Sequence, residues 1–199
     1  MQTSHSAFCI LKSAFTWVLH SKICIRHTRS CGLIFRVGVL YDGSTMYDAD
    51  ELSNETLVWV REEELPMGES HVDMVRLLAG ELAGLTGWRK RTLVNTALDR
   101  EAQDSTYLGY GLAIPHARVF EIPQPAVYLA RSTCGVDWQG SPARLVFLVV
   151  VPEERPEWHL QLLSRIVRWR QKSGLTEDEM VSMPAAKLSE LLRELLTLN

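Results

Sequence analysis

Apolar residues recur at helical spacing in four segments of the chain. In the first segment they lie three or four residues apart and form one face: Val75, Leu78, Leu82 and Leu85. Ser70, before this segment, is a suitable N-cap. The same spacing predicts helices over about 89–102, from near residue 158 onward, and over about 183–198. The leucine stripe of the last segment is too short for a coiled coil, so we interpret it as a face packed against a sheet.

Short apolar runs predict four β-strands, at residues 57–60, 112–114, 126–131 and 145–151. The last run is continuous and rich in valine, which is typical of a strand covered on both faces. Pro115, which lacks an N–H, is predicted to end the pairing of the second strand, and the glycines and proline of 135–142 predict a turn region. Because helices fall both between and after the strands, the pattern predicts an α/β fold. We expect a mixed sheet of about four to five strands, flanked by helices on both faces.

Residues 1–54 show no sustained periodicity, although 32–41 could form a strand. The first 41 residues hold five basic side chains and no acidic one: Lys12, Lys22, Arg26, Arg29 and Arg36. We expect 1–54 to be a basic N-terminal extension that is either disordered or the product of a start codon assigned too early, and rank a transit peptide below both. One domain is expected over 55–199.

The charge of the remaining chain narrows the choice of partners. Outside the basic leader, 16 basic and 24 acidic residues give a net charge of −8. An acidic surface argues against nucleic acid as the partner, because phosphate backbones require a basic face. A basic protein partner suits this charge better.

Cysteine usage and hydropathy indicate the compartment. Three of the four cysteines lie in the leader, and their spacing fits neither a zinc site nor a disulfide framework. Basic residues interrupt every apolar run of the leader, so no stretch approaches the ~20 apolar residues of a membrane-spanning helix. We therefore expect a cytoplasmic protein without stable membrane insertion.

The sequence Tyr-Leu-Gly-Tyr-Gly-Leu-Ala-Ile-Pro-His-Ala-Arg-Val at 107–119 carries the main chemical signal. His116 follows a buried strand and a rigid proline, so its imidazole is expected to have a firm support and an exposed tip. A lone histidine at a strand end is usually an ordinary loop residue, but here several fixed residue types surround it: Gly109, Gly111, Ala113, Ile114, Pro115 and Ala117. This string resembles the signature of the type-2 (mannitol/fructose/nitrogen-regulatory) enzyme IIA domains of the phosphoenolpyruvate-dependent sugar phosphotransferase system (PTS).

The resemblance implies the same α/β architecture over about 55–199 and three site residues. His116 matches the phosphorylated histidine, and Arg100-Glu101 matches an Arg-Glu pair whose arginine lies beside it. His159-Leu160 matches a histidine followed by leucine that the family carries at this place. Without the resemblance, Arg100 would be interpreted as part of a surface ion pair and His159 as a surface histidine at a helix N-terminus. Thr106 is a weaker candidate for a phosphoryl contact, and its interpretation as a turn residue is equally good.

Phosphoryl transfer between histidines fits this set of residues. It requires a neutral imidazole as nucleophile and positive groups that offset charge on the phosphoryl oxygens. Cationic side chains and backbone N–H groups can supply that stabilisation, so we expect neither a cofactor nor a metal. The glycines before His116 precede a strand and do not form a dinucleotide-binding motif, and no Walker A, G-x-S-x-G or H-E-x-x-H sequence occurs.

The resemblance implies two functions, which the sequence leaves open. In the first, the protein accepts a phosphoryl group on His116 from the phosphorylated histidine phosphocarrier protein and passes it to an enzyme IIB component in sugar uptake. In the second, the phosphorylation state of His116 controls binding to a regulated target protein, as in the nitrogen-regulatory branch. A degenerate domain that binds without carrying phosphate ranks third, because all three site residues are present.

Overall fold

The computed structural model describes residues 54–66 and 68–197, together with the backbone of two short strands, β1 (Ile23–Cys24) and β2 (Gly38–Val39). The chain divides into two compact units, Met1–Leu52 and Ser53–Asn199. In the first unit, β1 and β2 pair in antiparallel fashion. The expectations for the extension at 1–54 and for a strand at 32–41 otherwise fall outside the described residues.

The second unit contains a mixed sheet of six strands. They are β3 (Leu57–Val60), β4 (Tyr107–Gly109), β5 (Leu112–Ala113), β6 (His116–Val119), β7 (Ala126–Trp138) and β8 (Ser141–Pro152). The order across the sheet is β3-β7-β8-β5-β4, and β6 lies beside β8 further along the same edge as β5. The long strands β7 and β8 are antiparallel, whereas β3 runs parallel to β7, and β5 and β6 run parallel to β8.

Five helices accompany the sheet in the described part of this unit. They are α1 (His71–Thr86), α2 (Lys90–Glu101), α3 (Pro156–Lys172), α4 (Glu177–Ser182) and α5 (Ala185–Leu196). The predicted cap of α1 is present, because the Ser70 hydroxyl accepts the Asp73 backbone N–H at 3.2 Å. Helix α1 ends at Gly87, whose φ of +74° suits a left-handed C-cap. None of the helices in the described residues is long and apolar enough to cross a membrane.

Strand β8 shows why both faces of the sheet are covered. Its alternate residues Val146, Leu148 and Val150 join the core cluster that contains the apolar faces of α1 and α2. The residues between them point to the other face, where the Phe147 ring lies 6.1 Å from the ring of Trp169 on α3. Every residue from 145 to 151 is fully buried. The predicted α/β fold with helices on both faces is therefore confirmed, and so is the prediction that this strand is covered on both sides.

The prediction that Pro115 ends the sheet pairing is wrong. Proline lacks a donor, but its carbonyl still accepts the Val149 N–H at 3.0 Å, and the chain continues directly into β6 beside β8. The segment from 107 to 119 therefore forms three short strands. For this reason the sheet has six strands in place of the predicted four to five.

The predicted turn region at 135–142 is also mostly strand. Strand β7 continues to Trp138 across a register shift near Gly135, and β8 begins at Ser141. Only Gln139 and Gly140, both with positive φ, make the turn. Val136 and Trp138 stabilise the extended pairing of β7 with β8, because their side chains are buried in the core beneath α1.

Candidate functional site

His116 is the first residue of β6 and lies in the interior of a surface cleft. Its neighbours Ala117 and Val119 belong to the core shared with α2, so strand alternation directs His116 and Arg118 to the opposite side. The residue His116 has a relative exposure of 8%. The residue as a whole is therefore mostly buried, because β6 continues past the histidine and the surrounding elements cover it, but it lines a cleft that is open to solvent.

The backbone fixes the tautomer of His116. Its Nδ1 lies 2.9 Å from the carbonyl oxygen of Ile114. Because a carbonyl can only accept, Nδ1 carries the proton and donates, which leaves the lone pair on Nε2. Burial is the largest influence on this imidazole and lowers its pKa, and the charges of Arg100 and Arg118 act in the same direction. The ring is therefore neutral, with a nucleophilic Nε2, at neutral pH.

His159 lies in the first turn of α3 and is close to His116. The two ring centroids are 4.3 Å apart, and the ring planes are tilted by 40°. Burial lowers the pKa of His159 to about 4, with smaller contributions from His116, Arg118 and Arg100. Its Nε2 is buried and has no hydrogen-bond partner among the described residues. The cleft thus holds two neutral imidazoles side by side, one of them with a buried nitrogen free to meet a ligand.

Arg100 lies in the last turn of α2, where its Nη1 donates a hydrogen bond to the carbonyl oxygen of Asp104 at 3.0 Å. This contact fixes the guanidinium near the end of the helix. The charge of Arg100 lowers the pKa of both His116 and His159. The arginine is therefore within electrostatic reach of both imidazoles.

Glu101, the next residue, has a different task from Arg100. Its carboxylate is buried and accepts three hydrogen bonds, from the Thr106 N–H at 3.1 Å, the Thr106 hydroxyl at 2.5 Å and the Trp138 indole N–H at 2.9 Å. These bonds join the end of α2 to the turn before β4 and to β7. The Thr106 hydroxyl is directed toward Glu101, and Thr106 is not among the residues that line the cleft, so the geometry favours its interpretation as a turn residue.

The cleft has a volume of about 540 Å³ and is open to solvent. Three parts of the fold enclose it: the second half of α2, strand β6, and the segment from the end of β8 into α3. All three residues expected at the site, Arg100, His116 and His159, line it.

Arg118 and Glu153 also line this cleft and were missed by the sequence analysis. The Arg118 Nε lies 3.6 Å from a carboxylate oxygen of Glu153, which follows β8. A residue two places after His116 shares its side of a strand, and this spacing was the available signal. It was missed because the chain was expected to leave the sheet at Pro115.

A histidine held through Nδ1, a second imidazole and a nearby arginine line one cleft of a mixed α/β sheet, an arrangement suited to binding an anionic group such as a phosphate. The family model described as "Phosphoenolpyruvate-dependent sugar phosphotransferase system, EIIA 2" matches residues 75–193. The chain therefore belongs to the type-2 enzyme IIA family of this system, as the residues around His116 predicted.

Relatives come from both branches of the family. The chain is 32% identical over 104 residues to a fructose-specific EIIA component of the PTS from Haloferax volcanii, covering 51% of this chain and 68% of that protein. It is also 32% identical over 118 residues to a nitrogen regulatory protein of Bradyrhizobium diazoefficiens, covering 58% and 77% respectively. The crystal structure of the nitrogen regulatory protein IIA-Ntr from Neisseria meningitidis superposes with a TM-score of 0.53 at 23% identity, over 75% of this chain and 98% of that chain. This likeness in structure supports the fold.

Proposed function

We propose that this protein is a phosphoryl carrier in PTS sugar uptake, which accepts a phosphoryl group on His116 from the phosphorylated histidine phosphocarrier protein. It then passes the group to an enzyme IIB component. The observation that carries the proposal is the arrangement of His116, whose Nδ1 is held by the Ile114 carbonyl, so that its Nε2 carries the lone pair next to His159. We assign this reaction to the cytoplasm, as the cysteine usage predicted.

The transfer step needs no external base. The lone pair on His116 Nε2 attacks the phosphorus atom of the donor phosphohistidine, and the donor nitrogen keeps the electron pair of the broken P–N bond. The His116 ring takes up the positive charge that this attack creates. The Nδ1–H bond to the Ile114 carbonyl stabilises that charge, because a hydrogen bond from a cationic donor is stronger than one from a neutral donor. Since no proton moves, the same geometry serves the reverse step toward the acceptor.

Two other side chains would stabilise the transferred group. Arg100 supplies a fixed positive charge for the phosphoryl oxygens. His159, in the tautomer that carries its proton on Nε2, donates a hydrogen bond to the phosphoryl group or to the transition state. Among the described residues this buried nitrogen has no partner, which supports that role, because a buried polar atom gains most from a partner that arrives with the substrate. These side chains and the backbone would perform the step without a cofactor or metal.

Labelling tests the proposal directly. The protein is incubated with phosphoenolpyruvate, enzyme I and the histidine phosphocarrier protein, and acid-labile phosphate is located by mass spectrometry. We expect one label on His116 in the wild type and none in His116→Ala. An unlabelled wild-type protein, or label that persists in His116→Ala, would refute the proposal. Transfer to an enzyme IIB protein from the same organism then tests the acceptor.

A regulatory role is the second candidate, and the similarity to nitrogen regulatory proteins favours it. In this role phosphorylation of His116 alters affinity for a regulated protein. Partners that co-purify with the wild type and with His116→Ala should then differ, while His116 still takes up label. Identical partner sets, together with rapid transfer to an enzyme IIB protein, would favour the transport role. A domain that binds partners but never takes up label would match the third, degenerate alternative.

A further inference from the structure

We propose that Arg118 is a phosphoryl-binding residue that changes partner during the reaction cycle. In the unphosphorylated protein it pairs with Glu153, and after His116 is phosphorylated it pairs with the phosphoryl group. This inference rests on the proposed function, because it assigns a further residue to the same site.

The position of Arg118 in β6 supplies the first argument. Residues two apart in a strand lie on the same side, roughly 7 Å apart along the chain. His116 and Arg118 have this spacing and line the same cleft. An extended arginine side chain spans such a distance. The charge of Arg118 is also close enough to lower the pKa of both His116 and His159.

The weakness of the present ion pair supplies the second argument. The distance of 3.6 Å between Arg118 Nε and Glu153 is too long for a good hydrogen bond. The side chains are 50% and 30% exposed, so solvent screens their attraction. A phosphoryl group offers about two negative charges and three acceptor oxygens, and is therefore a stronger partner for a guanidinium than this carboxylate.

The backbone around Glu153 supplies the third argument. Its N–H donates to the carbonyl oxygen of Val119 at 3.0 Å, so the main chain of Glu153 is tied to the end of β6. The main chain at Glu153 is therefore restrained when Arg118 turns toward His116. When Arg118 moves to the phosphoryl group, the Glu153 carboxylate would stay at the cleft without an arginine partner.

Arg100 provides a contrast within the same cleft. Its guanidinium donates to the backbone carbonyl of Asp104, and it forms no ion pair with the other described residues. Its charge is present in both states. Arg118, in contrast, is partly neutralised by Glu153 until a better partner arrives, so a change at Glu153 should affect the site through Arg118.

The experiment compares Arg118→Gln, Arg118→Lys, Glu153→Gln and the double variant Arg118→Gln/Glu153→Gln. The first measurement is the equilibrium constant for phosphoryl exchange with the phosphocarrier protein. Because exposed charge pairs are weak, we expect Arg118→Gln to lower this constant about two- to five-fold and Glu153→Gln to raise it about twofold. Arg118→Lys should lie between the wild type and Arg118→Gln, and the double variant should match Arg118→Gln. Arg76→Gln is the matched control, since it removes an exposed arginine that pairs with Asp73 on α1, and it should leave the constant unchanged.

The second measurement is independent of any partner protein. Phosphoramidate, a chemical phosphoryl donor, is used to phosphorylate His116, and the NMR signal of the Arg118 Nε–H group is followed. We expect this signal to move on phosphorylation of the wild type and to stay in place when His116→Ala is treated in the same way.

The outcomes separate the two hypotheses. If His116 is labelled by phosphoramidate but not by the phosphocarrier protein, the proposed function is refuted. The NMR signal of Arg118 then still tests whether this arginine binds the phosphoryl group. An unmoved Arg118 signal on phosphorylated His116 would overturn this inference. So would an exchange constant that falls in Glu153→Gln as it does in Arg118→Gln, or that is unchanged in Arg118→Gln. A wild type that takes no label on His116 from either donor would overturn both.

Discussion

Replacing Glu101 by alanine should destabilise the protein strongly, although Glu101 does not line the cleft. The change leaves three buried donors without their acceptor, namely the N–H and hydroxyl of Thr106 and the indole N–H of Trp138. Each buried donor left unsatisfied costs about 1–3 kcal/mol. Because the three share one acceptor and their losses do not add fully, we expect a loss of about 3–5 kcal/mol in the free energy of unfolding. That is a large part of the total stability of a typical domain, which is about 5–15 kcal/mol.

Urea unfolding followed by tryptophan fluorescence measures this loss. Glu190→Ala is the matched control, because Glu190 is exposed on α5, and it should change the stability by less than about 0.5 kcal/mol. Glu101→Gln keeps one acceptor oxygen and should fall between the two. Under conditions where Glu101→Ala is still folded, we also expect slower labelling of His116, because the end of α2 that carries Arg100 loses its anchor. A loss below about 1 kcal/mol for Glu101→Ala would refute the reasoning from unsatisfied buried donors.

Three further outcomes are expected. Arg100→Gln should slow labelling of His116 about tenfold or more, whereas Arg100→Lys keeps the charge and should be less affected. A wild-type labelling rate in Arg100→Gln would remove Arg100 from the proposed chemistry. Burial lowers the pKa of His159 to about 4 in the folded protein, whereas the pKa in the unfolded chain is about 6.5. Between about pH 4 and 6.5 the unfolded chain therefore binds more protons than the folded protein. The free energy of unfolding of the wild type, measured by urea titration, should thus decrease as the pH falls from about 6.5 to 4, and that of His159→Gln should decrease less. If the two proteins lose the same stability over this pH range, the lowered pKa of His159 is contradicted. Removal of residues 1–53 should leave the labelling rate unchanged, since every residue proposed for the site lies between 100 and 159, and a markedly lower rate would place the extension in the reaction.

The sequence predicted those helices and strands whose signal repeats within a short stretch of the chain. The apolar face of α1 and the continuous run of β8 are repeated signals, and the cap at Ser70 lies within three residues of its partner. The same is true of His116, whose neighbours in sequence carry the resemblance. Helix α4 was not predicted, because six residues are too few to show a helical period.

The sequence did not predict the contacts of Glu101 and Arg118, whose partners lie far away along the chain. Glu101 bonds to Trp138, 37 residues away, and no spacing in the sequence points to that pair. Arg118 was overlooked for a more instructive reason. The rule that proline ends a strand considers the missing N–H, whereas the pairing here uses the Pro115 carbonyl, so the chain stays beside β8 and β6 begins at His116.

The bond between His116 and the carbonyl oxygen of Ile114 has a consequence for sequence variation. The atom that orients the ring belongs to the main chain, so replacing Ile114 by another aliphatic residue changes the packing without removing the acceptor. Phosphohistidine exists as two isomers, according to which ring nitrogen carries the phosphorus. If His116 carries the phosphoryl group as proposed, the path of the backbone through Ile114 and Pro115 directs the phosphorus to Nε2, and most substitutions in the side chains nearby would leave that choice unchanged.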